Sequence, residues 1–265
     1  MPAVKTQLLN VFFLPDLVSD GALLGGHAVV IDILRATTTI TTALANGAQR
    51  IVPCVDIDQA HLTKARLLGQ ITGKQRILLG GERQGKPLPG FDLGNSPPTY
   101  SPEVVAGNTI VMTTTNGTRA MDMCRDAEQI IIGSFANFSA VAKYLANCEK
   151  VSLVCSGTNR HVTCEDVLFA GALGNYLAPD DLVNNQAFAA NDQARLAISY
   201  WRQLHCKENQ TCPTTKQIHQ VFEQSLGGSN LIAQDRSSDL EFAALIDRFD
   251  NLPILNKETW EITNQ

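Results

Sequence analysis

The sequence lacks any apolar run long enough to cross a bilayer. Its longest are short pieces such as residues 28–31, far below the ~20 residues a membrane span needs. It lacks a basic excess too. Lys plus Arg is 21 against 26 Asp plus Glu, a formal charge of −5, so the basic stripe of a nucleic-acid binder is excluded. The acidic surplus is too scattered to mark a tail. No secretory signal is visible either: the first residues carry one Lys, and Asp16 and Asp20 break the apolar stretch 8–18. The seven cysteines are odd in number and irregularly spaced. They form no disulfide framework and point to reduced thiols in a cytoplasm. Three N-x-[ST] matches, at Asn116, Asn137 and Asn209, are chance in that setting.

What is present suits a globular α/β protein. The chain has 265 residues, 44% apolar and 18% charged, enough for one large domain or two small ones with a real core. Short β-branched runs alternate with helical stretches, which predicts a mostly parallel sheet with helices on both faces. There is an internal echo. The run from Gly26 (G-H-A-V-V-I-D-I-L-R-A-T-T-T) and the run from Gly107 (G-N-T-I-V-M-T-T-T-N-G-T) both open a strand, Thr-rich turn, helix, strand, helix series. A shift of 79 residues lays Ile51 on Ile130 and Thr39 on Thr118. Two similar βα halves are expected, 1–105 and 106–265, although any two βα units look alike at this level. A third unit follows, with strand 151–155, turn 156–163 and helix 165–176. Further helices are expected at 185–204, at 217–226 stopped by Gly227 and Gly228, and at 239–249. A polar connection is expected over 205–215, and a terminal strand or extended end from Pro253.

Residues 78–102 hold five Pro and five Gly, so no long helix forms there. A loop this long is functional or disordered. Phe91, Leu93 and Tyr100 favour an ordered one.

Ligands of parallel α/β sheets sit beyond the carboxyl ends of the strands. Three polar clusters fall there: Asp32, Arg35, Thr37, Thr38 and Thr39; Thr113, Thr114, Thr115, Asn116, Gly117 and Thr118; and Ser156, Gly157 and Thr158 with Glu165 and Asp166. Hydroxyls and free N–H groups at helix starts suit an oxyanion. Each cluster alone also reads as ordinary helix capping. Asp32 stands apart because it interrupts the buried run V-V-I-D-I-L, where a carboxylate is costly unless paired or bound to a cation. Arg35 could pair with it. Otherwise Asp32, Glu82, Glu165 and Asp166 form an all-oxygen ligand set, which favours Mg²⁺ over zinc.

Several familiar motifs fail. Gly80-x₄-Gly85-Lys86 has P-loop spacing, but Pro87 replaces the Ser/Thr and blocks the helix. Cys155-x₄-Arg160 is one residue short of a Cys-phosphatase loop. Asp32-Ile33-Leu34 lacks the second Asp of an aspartyl-phosphate phosphatase. His205, Cys206, Cys212 and His219 are too irregular for structural zinc. His27, His61 and His161 read as surface or capping residues.

Five segments together resemble one family: V-V-I-D-I-L-R-A-T-T-T-I (29–40), G-E-R-Q-G-K-P-L-P-G-F-D-L-G-N-S-P (81–97), T-T-T-N-G-T (113–118), C-S-G-T (155–158) and E-D-V-L-F-A-G (165–171). They are similar to the 2-phosphosulfolactate phosphatases. S-x-G-G-x-N-L from Ser225 and the segment around Asp250 and Pro253 fit more loosely. The resemblance implies an α/β, Mg²⁺-dependent acid phosphatase unrelated to the common phosphatase folds. It would hydrolyse (R)-2-phospho-3-sulfolactate to 3-sulfolactate and phosphate, a step in coenzyme M biosynthesis or related sulfonate metabolism. On that basis Asp32, Glu165 and Asp166 would hold Mg²⁺, with Glu82 directly or through water. Arg35 and Arg83 would clamp oxyanions. The turns at Thr37 and Thr38, Thr114 to Thr118, and Gly157 and Thr158 would donate hydrogen bonds, and Asn95 and Ser96 would close over the ligand. Attack by water is preferred to a phospho-enzyme on Asp32. Two alternatives stay open: a phosphatase of another small phosphorylated hydroxy acid, and a non-catalytic anion-binding protein on the same scaffold. The oligomer is not fixed, a homodimer being common for such bodies.

Overall fold

In the computed structural model, residues 7–70, 75–178, 188–205 and 213–265 are described. The chain opens with β1 (Gln7–Phe12), β2 (His27–Ile31), α1 (Ala36–Ala45), β3 (Arg50–Cys54) and α2 (Ile57–Leu68). Next come β4 (Ile77–Arg83), β5 (Lys86–Pro87), α3 (Pro102–Val105), β6 (Thr109–Thr113), α4 (Gly117–Met123) and β7 (Gln129–Gly133). The third unit is α5 (Phe138–Leu145), β8 (Lys150–Cys155) and α6 (Cys164–Leu177). Then follow β9 (Phe188–Ala190), α7 (Asp192–His205), α8 (Thr215–Gln224), α9 (Leu226–Ile232) and α10 (Ser237–Ala243), and last the hairpin β10 (Pro253–Asn256) and β11 (Glu261–Asn264). No described helix is long and apolar enough to cross a membrane.

The fold is α/β with a large, mostly parallel mixed sheet. Its strand order is β5-β4-β6-β3-β11-β10-β7-β2-β8-β1-β9. Two parallel blocks make up the sheet: β7, β2, β8, β1 and β9 on one side, and β4, β6 and β3 on the other. The C-terminal hairpin joins them, β10 antiparallel to β7 and β11 antiparallel to β3. Traced through this ladder, the two blocks run in opposite directions.

The sequence echo has a structural counterpart. β3 and β7 start at Arg50 and Gln129, and 129 − 50 = 79. They flank the hairpin on either side, then β6 and β2, then β4 and β8. The first copy therefore supplies β2 to one block and β3 to the other, and the second copy supplies β6 and β7 in the opposite sense. Strands from before and after residue 105 interleave in one sheet.

Alternation along the strands sets the core. Val29 and Ile31 pack with α5, α6, α7 and α8 residues such as Val141, Phe169, Ile198 and Phe222. Ala28 and Val30 point the other way, into a layer with Ile40 and Leu44 of α1, Met121 of α4, and Ile51 and Ile110 from the opposing block. A third layer holds Val52, Leu79 and Val111 against Ala60 and Leu67 of α2. α1 is buried from Ala36 through Leu44 despite its five threonines. Some of their hydroxyls are satisfied locally, Thr38 Oγ1 donating to Ile33 O and Thr42 Oγ1 to Thr38 O at 2.8 Å each, and others at long range, Thr39 Oγ1 donating to Asn95 O at 3.1 Å and Thr41 Oγ1 accepting from Ser134 Oγ at 3.3 Å.

Several expected elements shift. Residues 188–190 form edge strand β9 along β1 instead of opening a helix. Asn191 marks the break: its Oδ1 accepts from Val11 N (3.1 Å) and Ala194 N (2.9 Å), and α7 begins after it. Gly227 and Gly228 do not stop a helix; they lie inside α9, capped by Ser225, whose Oγ accepts from Gly228 N at 3.0 Å. The helix expected over 239–249 ends at Ala243. Asp247, at φ +53°, donates its N–H to Phe135 O (2.9 Å), and its carboxylate accepts from Ser139 N and Oγ at 2.6 Å each. Most of the connection expected over 205–215, including Cys206 and Cys212, lies outside the described residues.

Candidate active site

At the carboxyl end of β2 the buried run Ala28–Ile31 gives way to Asp32. Its Oδ1 accepts from Ala36 N at 3.1 Å, and its main-chain O accepts from Thr37 N and Thr37 Oγ1 at 2.9 Å each. Asp32 therefore organises the first turn of α1. Gly117, at the start of α4, lies so close that an added Cβ would stand 2.9 Å from Asp32 Oδ2 and 2.7 Å from the Ala36 methyl. The lack of a side chain there lets α4 from the second block reach the end of β2 in the first.

Asp166, in the first turn of α6, ties β2 to β8. Its Oδ1 accepts from Ile33 N (2.9 Å), and its Oδ2 accepts from Gly157 N (3.0 Å) and Ser156 Oγ (3.3 Å). Glu165 beside it is 2% exposed, and its Oε2 is buried with no hydrogen-bond partner. Gly227 of α9 packs against the same carboxylate, and any Cβ at 227 would overlap Oε1.

These three acids disturb one another. Burial pushes the Asp32 carboxyl up to about 7, and the Asp166 and Glu82 charges push in the same direction. Burial does the same to Asp166, also up to about 7, reinforced by Glu165. Glu165 is raised by burial and then by Asp32. Like charges in a poorly hydrated pocket favour protonation unless a cation joins them.

The facing wall comes from the other block. Glu82, near the end of β4, accepts from Thr115 N and Oγ1 at 3.0 Å each through Oε1, and from Gly85 N at 2.6 Å through Oε2. The carboxylate thus clips the tight turn after β4, where Gln84 and Gly85 have φ of +54° and +77°. That turn and the loop beyond it are ordered. Tyr100 is fully buried and donates to Gly94 O at 2.6 Å.

Arg35, 4% exposed, stands between the walls. Its Nη1 meets Asp239 Oδ2 at 2.6 Å and its Nη2 donates to Gly85 O at 3.0 Å. Ser96 Oγ donates to the other Asp239 oxygen at 2.6 Å. The result is a cleft of about 250 Å³ lined by Asp32, Arg35, Glu82, Thr115, Asn116 and Thr158, with Gly227, Asn230 and Gln234 of α9 and its tail forming one side.

The polar clusters at the ends of β2, β6 and β8 thus meet at one place, although β6 runs opposite to β2 and β8. Thr115, Asn116 and Thr158 reach the cleft. Thr37, Thr38, Thr114 and Thr118 are buried and engaged locally: Thr118 Oγ1 donates to Thr114 O at 2.9 Å. Gly157, at φ +62°, serves Asp166 through its N–H. Arg83 does not line the cleft. Its guanidinium donates to Glu82 O (2.8 Å), Thr113 Oγ1 (2.9 Å) and Val55 O (3.3 Å). Asn95 and Ser96 line a smaller cavity on the far side of Arg35. The sequence reading missed Asp239, which holds Arg35 from 204 residues away, and the contribution of α9. The signal for α9 is the S-x-G-G-x-N-L segment, whose glycines read locally as a helix stop.

Among the described residues, no three His, Cys, Asp or Glu side chains stand as a group that could hold a metal. The donor chemistry nonetheless fits a hard cation: every donor is oxygen, the carboxylates repel one another, and Glu165 Oε2 is orphaned.

Comparison with known proteins matches residues 12–258 to the family model described as 2-phosphosulpholactate phosphatase. A protein of Thermotoga petrophila named probable 2-phosphosulfolactate phosphatase is 41% identical over 228 residues, covering 86% of this chain and 88% of that one. Proteins of the same name from Pseudothermotoga lettingae and Symbiobacterium thermophilum are 36% and 35% identical, covering 93% and 89% of this chain and 95% and 93% of theirs.

Proposed function

The chain belongs to the 2-phosphosulfolactate phosphatase family, and from that premise we propose that it is a phosphoric monoester hydrolase that cleaves (R)-2-phospho-3-sulfolactate to 3-sulfolactate and phosphate with the help of Mg²⁺. The product would serve coenzyme M formation or related sulfonate metabolism.

One observation supports the Mg²⁺ requirement above the others. Such a substrate carries a phosphate, a carboxylate and a sulfonate. The cleft that would receive it presents Asp32 and Glu82, with Arg35 the only cationic side chain among its described lining residues. Arg35 is already neutralised by Asp239. A strongly anionic ester enters such a cleft only with added positive charge. Asp32 and Glu165 would hold the cation, with Asp166 orienting them through its bonds to Ile33 and Gly157. Bound Mg²⁺ supplies charge neutralisation at the phosphate and polarisation of water.

The chain's own groups do the rest. Arg35, fixed at both nitrogens, offers the oxyanion a guanidinium that loses little freedom on binding. Thr115, Asn116 and Thr158 supply donors around the scissile group. A water oxygen bonds to phosphorus as the ester P–O bond breaks, and the leaving oxygen ends as the product hydroxyl.

The test is phosphate release from (R)-2-phospho-3-sulfolactate by the purified protein, with Mg²⁺ or with EDTA, beside a panel of other small phosphoesters. Mg²⁺-dependent release is expected. Asp32→Asn is expected to lower kcat/KM by about 10²–10³-fold, the usual scale for losing one preorganised charge contact. Undiminished Mg²⁺-dependent turnover by that variant rejects the assignment of Asp32, and faster cleavage of a non-sulfonated ester rejects the substrate.

A further inference from the structure

Behind Arg35 lies a second, smaller cavity of about 80 Å³, lined by Arg35, Gly85, Asn95, Ser96 and Arg236 together with Pro87, Gly94 and Thr99. It shares Arg35 and Gly85 with the main cleft, so the two spaces meet at one guanidinium. Two of its groups are unspent. Asn95 is 4% exposed, and its Oδ1 is buried without a hydrogen-bond partner. Arg236 is half-buried, and among the described residues its guanidinium has no hydrogen bond or ion pair. The Asn95 atom is unusual in a folded protein, where buried polar atoms nearly always find partners, and the Arg236 guanidinium is left to water. The nearby carboxylate, Asp239, is already taken up by Arg35 and Ser96. The cavity therefore presents uncompensated positive charge.

Its size admits a compact group. A cavity of about 80 Å³ holds more than one water-sized group, which is room for a compact oxyanion. The Asn95 amide can turn to present its N–H₂, and Ser96 Oγ and Arg35 lie alongside.

We propose that this cavity is the subsite for the non-scissile sulfonate-class oxyanion of the substrate, and that Arg236 is its specificity-determining residue. The proposal rests on the substrate reading given above. A phosphate held in the main cleft near Asp32 leaves the other end of a three-carbon ester to extend past Arg35. Arg236 then closes on the sulfonate from the far side.

The experiment compares wild type, Arg236→Ala and Arg236→Lys on (R)-2-phospho-3-sulfolactate and on 2-phospholactate, the same ester without the sulfonate. Arg236→Ala is expected to raise KM for the sulfonated ester roughly tenfold to a hundredfold, the scale of one charge-assisted hydrogen-bond pair. Its kcat and its kinetics on 2-phospholactate should hold, and Arg236→Lys should recover part of the loss. Equal loss on both esters, or no loss on either, overturns the subsite. Calorimetric binding of 3-sulfolactate to wild type and Arg236→Ala separates the two readings. If wild type does not cleave the sulfonated ester but binds 3-sulfolactate in an Arg236-dependent way, the subsite stands and the substrate reading falls. If wild type cleaves the ester and Arg236→Ala is indifferent in both assays, the subsite falls alone. No binding and no cleavage by wild type overturns both.

Discussion

On the wall built from β4, the Glu82 carboxylate receives three donors from the turn and helix start around it. On the wall built from β2, β8 and α6, the carboxylates of Asp32, Glu165 and Asp166 lie together, two of them pushed up to about 7, with Glu165 Oε2 orphaned. Both walls bury negative charge. The first satisfies it with backbone N–H groups and so gains a fixed loop. The second satisfies Asp166 in the same way but leaves Glu165 Oε2 without a donor, and its crowded acids would suit a cation. The difference separates a carboxylate that shapes the cleft from a cluster that would accept a cation there. Arg35 bridges the two walls, since it touches Gly85 of one and follows β2 of the other.

The largest way to break this contrast is to remove the pin at that bridge. Asp239→Ala leaves Arg35 buried without its partner, both side chains being at most 4% exposed. The expected loss is about 3–5 kcal/mol of stability, visible as a fall in Tm on the order of 10 °C. A fall of less than about 2 °C by calorimetry would show that the pair adds nothing to the fold.

The cation-seeking wall makes a pH prediction. In the folded, metal-free protein Asp32 and Asp166 titrate near 7, and in the unfolded chain near the ordinary value of 3.8. Between those values the folded state holds protons that the unfolded state has released. These groups therefore stabilise the metal-free protein at low pH, and their contribution fades as pH rises towards about 7. Under the proposed function Mg²⁺ would bind the ionised set, so its stabilisation should grow across the same window. Melting with MgCl₂ against EDTA at about pH 5 and about pH 8 checks this. An equal Mg²⁺ increment at both counts against the carboxylates as its ligands.

The smallest effect sharpens the other wall. Glu82→Gln keeps the shape but sets an N–H₂ against one of the donors at Gly85 or Thr115. About 1–2 kcal/mol of stability should go, with faster proteolysis within residues 84–96. Unchanged cleavage of that loop would mean that Glu82 does not hold it.

Local features of the sequence carried much of this. The strands ending at Ile31 and Cys155 were readable from their β-branched runs, and Asp32 stood out because a carboxylate interrupts one of them. The ordered loop over 78–102 was readable from its aromatic and apolar residues. What failed to show were long-range choices. Gly227 and Gly228 look like a helix stop because glycine suits that place; here they are needed because a Cβ would overlap Glu165 on one and Phe222 O on the other. Asp239 reads as the first residue of a short helix, and nothing local tells of a guanidinium 204 positions earlier. The echo was visible, but not the interleaving of its copies, since strand order is settled by packing across the whole chain.

The hairpin of β10 and β11 has a consequence for how the molecule comes into being. Ile254 lies on Ile131, and Ile262 on Ile51, so the stretch that welds the blocks leaves the ribosome after every strand it joins. Until then the nascent chain carries two unwelded edges, at β3 and β7, and the cleft between the blocks has no fixed width. Competence for catalysis therefore waits on a hairpin that follows, along the chain, every strand it joins, as a keystone completes an arch.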